Sequence, residues 1–82
     1  MATEAGAYAA LTDIFRDVFQ KDVSLRPELT ARDVAGWDSF KQIEIIMAVE
    51  ERFAIRLTTR EMDGLHTVGD LIRVVIAKTA TG

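Results

Sequence analysis

The sequence predicts a small all-α fold: a four-helix bundle of three main helices and one short helix, with a long loop between the first two. Three observations predict it. Three stretches repeat their apolar residues at helical spacing, around Tyr8–Phe19, Ser39–Phe53 and Val68–Ile76. Helix-start signals precede the second and third of these. The one β-branched run, Val74-Val75-Ile76, has no second strand pattern with which to pair.

The first helix is expected from about residues 5–7 to Phe19. Tyr8, Leu11, Phe15 and Val18 fall on one face, and Thr12, Asp13, Arg16 and Asp17 on the other. Residues 1–6 and 79–82 are small or polar and are expected as flexible tails. Lys21 to Asp38 has no sustained period and holds the only proline, Pro27. A structureless connection of this length is uncommon in a small domain unless it has a task. Leu25, Leu29, Val34 and Trp37 can fasten it to a core, and residues 29–34 suggest a short turn of helix.

The second helix opens at Asp38-Ser39. Either residue is a good N-cap, and Ser39 with Gln42 has the S-x-x-Q form of a capping box. At about 100° per residue, Ile45, Val49 and Phe53 share a face with Ile46 at its edge. Phe40, Ile43 and Met47 lie roughly opposite, interleaved with Glu44, Glu50 and Glu51. Unpaired acids are seldom fully buried. One side should therefore face the core, and the other should be a partly exposed apolar strip flanked by acids. Residues 54–57 read as an extended linker. Thr58 or Thr59 can cap a one-turn helix through Arg60-Glu61-Met62 that Gly64 ends. Thr67 with Asp70 signals the last helix, in which Val68, Leu71, Ile72, Val75 and Ile76 have i, i+3, i+4, i+7, i+8 spacing.

Composition narrows the functions. The chain has 82 residues, enough for one small domain with a modest core but little room for a deep catalytic cavity. An apolar fraction of 49% with 28% charged residues fits a packed globule. No cysteine is present, which excludes disulfides and thiolate metal sites. The single histidine, His66, leaves a metal only carboxylates, whose spacing matches no cation loop. A net charge of −3 argues against nucleic acid as a partner. No apolar run reaches the roughly 18 residues of a membrane span. The start lacks a basic segment followed by an apolar one, so the cytoplasm is the expected location.

What remains for chemistry is the hydroxyl of Ser39, placed where a helix begins. The first N–H groups of a helix lack intrahelical partners and the dipole is positive there, so a phosphate esterified to Ser39 would find donors ready. A hydrolase using Ser39 would need a base within hydrogen-bond reach, and His66 is the sole candidate.

The residues Asp38-Ser39-Phe40, Ile45, Met47-Ala48-Val49-Glu50-Glu51, Phe53, Leu57, Leu65, Thr67-Val68 and Leu71-Ile72 together resemble the acyl carrier protein family, the phosphopantetheine-binding carriers. The resemblance covers nearly the whole chain. An Asp-Ser pair alone is weak, but Asp-Ser opening a helix that ends Glu-Glu-x-Phe, after a long loop, is a strong combination. It implies an acyl-carrier-like bundle without catalysis of its own. A phosphopantetheinyl transferase would attach 4′-phosphopantetheine from coenzyme A to Ser39, with Asp38 supporting the site, and the arm's thiol would carry a thioester. Acyl-loading and acyl-using enzymes (a ligase, synthase or transferase) would be the partners of a monomeric carrier. They would dock on Phe40, Ile43, Glu44, Met47, Glu50 and Glu51. Phe40 stands where the family usually has Leu. Lys41 stands where fatty-acid carriers often have an acid, and Trp37 is commoner in specialised carriers. The resemblance thus implies a specialised member, of a fatty acid, polyketide or envelope-lipid pathway. An aminoacyl or D-alanyl carrier is the alternative, and an unmodified helical adaptor a more distant one.

Overall fold

The computed structural model describes residues 3–81. Its elements are α1 (Glu4–Phe19), a 3₁₀ turn (Ala31–Asp33), α2 (Ser39–Phe53), α3 (Thr59–Asp63) and α4 (Val68–Thr81). No strand occurs among the described residues. This is the expected four-helix bundle of three main helices and a short one. The core forms where α1 packs against both α2 and α4. Leu11, Phe15, Ile45, Val49, Val68 and Val75 are its largest fully buried side chains. Ile46, expected at the edge of the core face, is buried as well.

Both outer helices are longer than expected. The Thr3 hydroxyl accepts from Gly6 N–H at 3.0 Å, so residues 4–6 are helical and not a tail. Glu4 suits the positive end of the dipole there. At the other end residues 79–81 continue α4, although no apolar repeat marks them, and the Thr79 hydroxyl donates to the Val75 carbonyl at 2.8 Å. The remaining residues expected as tails, 1–2 and 82, lie outside those described.

The long loop is ordered by three devices. Leu29 and Val34 are buried in the core. The Asp33 carboxylate accepts from the Thr30 backbone N–H at 3.0 Å and closes the 3₁₀ turn. The loop carbonyls of Leu29 and Pro27 accept from the N–H groups of Val68 and Gly69, both at 2.9 Å. Those are two of the amides that the start of α4 leaves without intrahelical partners. The loop thereby becomes the cap of the last helix. Gly36, at φ +88°, makes the turn toward α2 in a backbone region that a side chain would strain.

Candidate functional site

Asp38 is the N-cap of α2. Its Oδ1 accepts from Lys41 N–H at 3.0 Å. Ser39 is therefore the first residue inside the helix, and the Ser39–Gln42 capping box that the sequence allows does not form. Gln42 is engaged elsewhere: its Oε1 accepts from Trp37 Nε1 at 2.7 Å. Trp37 stands edge-on to Phe15, with centroids 5.2 Å apart at 87°, and also contacts Phe19. This half-buried indole fixes the last residues of the loop, as an anchor at that position should.

Ser39 is exposed and its hydroxyl finds no partner among the described residues. The amides of Ser39 and Phe40 likewise find none, because the cap and the Asp38 carbonyl take those of Lys41 and Gln42. An unengaged hydroxyl beside two unengaged amides at the positive end of a 15-residue helix suits an esterified phosphate. Ser39 also borders an open groove of about 1010 Å³. Thr30, Ala31 and Arg32 form one wall. Trp37, Asp38, Gln42, Ile43 and Ile46 form the second. Met62, Asp63, Leu65 and His66 close it from α3 and the turn beyond. Met62 and Leu65 are half-buried and line this groove.

The strip on α2 is exposed as expected: Phe40 at 77%, Ile43 at 55% and Met47 at 63%. The acids beside it differ in how far they are committed. Glu44 pairs with Lys41 at 3.6 Å. Glu50 Oε2 accepts from Leu57 N–H at 2.9 Å and holds the linker after α2. Glu51 is exposed with no partner among the described residues. Lys41 also donates from Nζ to the Val18 carbonyl at 3.2 Å, binding α2 to the end of α1.

His66 borders the same groove as Ser39, but no hydrogen bond joins them among the described residues. Its backbone N–H donates to Asp70 at 3.1 Å. The nucleophile–base contact of a hydrolase is thus not formed. No cluster of three or more His, Asp or Glu residues suited to a metal occurs among the described residues. Two neighbours of the site are not legible in the sequence: Gln42 bonds Trp37 in place of Ser39, and Arg32 carries no local signal linking it to Ser39.

The family described as a phosphopantetheine attachment site matches residues 9–75. The chain is 30% identical over 71 residues to an acyl carrier protein of Wolinella succinogenes, covering 80% of this chain and 93% of that one. It is 32% identical over 57 residues to an acyl carrier protein of Acidothermus cellulolyticus, covering 70% and 68%. The fold superimposes on the solution NMR structure of a holo acyl carrier protein from Geobacter metallireducens with a TM-score of 0.86. Sequence identity there is 37%, covering 92% of this chain and 87% of that one. With its helices, its unengaged serine and these relatives in agreement, the chain belongs to the acyl carrier protein family, whose members are carriers and not catalysts and whose cofactor is covalently attached phosphopantetheine.

Proposed function

We propose that Ser39 is the attachment point of the 4′-phosphopantetheine arm and that the protein carries acyl intermediates for partner enzymes of a specialised fatty acid, polyketide or envelope-lipid pathway. The observation that carries this reading is the Ser39 hydroxyl itself, exposed at the first position of α2 and without a partner among the described residues. The chain has one other serine, Ser24, which lies in the loop and opens no helix. When bound, the group supplies a terminal thiol that holds the acyl chain as a thioester. The chain's own residues do the rest. Asp38 fixes the start of α2, and the Ser39 and Phe40 amides would be the donors that hold the phosphate. Phe40, Ile43 and Met47 offer an apolar docking strip, with Glu44 and Glu51 as its charged border. Tethering then gives partners a high local concentration of cargo. A monomer acting in the cytoplasm is part of the same reading.

Lys41 and Trp37 are what favour a specialised carrier. Lys41 neutralises Glu44 on the docking face, leaving it less acidic. Loading assays with acyl and aminoacyl donors separate this reading from an aminoacyl or D-alanyl carrier. The attachment is tested by intact mass after co-expression with a broad-specificity phosphopantetheinyl transferase. The expected result is a gain of one phosphopantetheine, retained in Ser24→Ala and lost in Ser39→Ala while helical circular dichroism persists. A gain that survives Ser39→Ala, or no gain in the wild type, overturns the assignment.

A further inference from the structure

We infer that Arg32 is the charge partner of the phosphodiester that joins the arm to Ser39, a positioning residue that holds the root of the arm on the groove side of α2. The inference rests on the attachment at Ser39 proposed above. Among the described residues, six of the ten Lys and Arg side chains are in ion pairs. Lys21, Arg32, Arg56 and Arg60 pair with no acid among the described residues. Of these four only Arg32 lines the groove that Ser39 borders. Its backbone is fixed, because Arg32 sits inside the 3₁₀ turn closed by the Asp33–Thr30 hydrogen bond. Its side chain is exposed.

The charge balance of the groove gives this cation a purpose. Asp38 and Asp63 line the same groove, and neither forms an ion pair with Arg32. Attachment adds one more negative charge, on the residue that follows Asp38. The Ser39 and Phe40 amides supply two donors but only the partial charge of a helix end. A guanidinium supplies a full charge, with paired N–H donors matched to the two unesterified oxygens of a phosphodiester. In the apo protein Arg32 forms no ion pair among the described residues; attachment adds an anion at Ser39, which borders the same groove.

The test compares apo and holo forms of the wild type, Arg32→Gln, Arg32→Lys and Arg56→Gln, each holo form verified by intact mass. Three readouts are taken: the ³¹P resonance of the phosphodiester, the Arg32 Nε–Hε resonance, and the apo-to-holo difference in Tm. In the wild type the Nε–Hε resonance is expected to move on attachment. In Arg32→Gln the ³¹P resonance is expected to shift, and the apo-to-holo Tm difference to fall about 2–4 °C below the wild-type value at low salt. Arg32→Lys should recover part of both, Arg56→Gln should match the wild type, and the Tm effect should fade in about 1 M salt. Holo Arg32→Gln with wild-type ³¹P and Tm behaviour overturns the inference and leaves the attachment standing. A protein that takes no arm at Ser39 overturns both.

Discussion

On the proposed attachment, Asp38 and Ser39 divide two tasks between adjacent residues. A cap must spend its side chain on the helix's own amides, and an attachment residue must keep its side chain free. Asp38 spends Oδ1 on Lys41 N–H, and this leaves Ser39 Oγ unengaged one position later. Were Ser39 the cap, its hydroxyl would be tied into the helix and less open to modification. Asp38→Ala removes the cap acceptor and is expected to cost about 1 kcal/mol. Asp38→Asn keeps an acceptor and should lose much less. Thermal unfolding of the apo proteins measures both.

Three further short-range caps, at Asp33, Glu61 and Asp70, hold an element with a carboxylate, and this makes those elements acid-sensitive together. Backbone N–H donors hold all three below the ordinary carboxylate range: Thr30 acts on Asp33, Thr58 on Glu61 and His66 on Asp70. Lys78 adds to the effect at Glu61, and the Thr67 N–H at Asp70. A carboxylate whose pKa is lower folded than unfolded contributes stability above its unfolded pKa, and that contribution is lost as pH falls through the folded value. The loss should begin near pH ~4 and continue below it. A variant with Asp33→Asn, Glu61→Gln and Asp70→Asn is expected to be less stable than the wild type at pH 7. It should lose less stability than the wild type on acidification, so the two Tm curves converge toward pH 2. Parallel curves across that range would count against these caps as the source.

At the scale of the whole molecule, the connection between the loop and α4 decides whether the site has a floor. Val68 and Gly69 donate to Leu29 and Pro27, and the loop so held presents Arg32 on one side of the groove. Gly69 is required by the close approach. A Cβ there would stand 3.0 Å from the Pro27 carbonyl oxygen and 3.2 Å from its Cβ. That carbonyl cannot retreat without giving up the bond from Gly69 N–H. Alanine gains about 1 kcal/mol in helix propensity, but the overpacking is worth about 1–3 kcal/mol. Gly69→Ala is therefore expected to be destabilising by about 1 kcal/mol, with faster amide exchange at residues 68 and 69 than in the rest of α4. A rise in Tm would show that the loop yields more easily than this packing implies.

The sequence by itself determined the helices, their core faces and the residue at the mouth of α2. Periodicity and capping are local: Ile45 and Val49 against Phe40 and Met47 can be sorted from spacing alone, and so can the Thr67–Asp70 cap, whereas the choice of Thr58 over Thr59 as the cap of α3 came from the structure. The ends of α1 and α4 were less legible, because the helix continues there through local hydrogen bonds of Thr3 and Thr79 without any apolar repeat. Only the tertiary structure decided which of Asp38 and Ser39 is the cap, since the sequence permits both and Gln42 turns to Trp37 across five residues. It alone ordered the loop and brought Arg32 to the groove of Ser39. Those contacts join residues such as Pro27 and Gly69 that lie far apart along the chain, and no periodic pattern records a meeting between backbones.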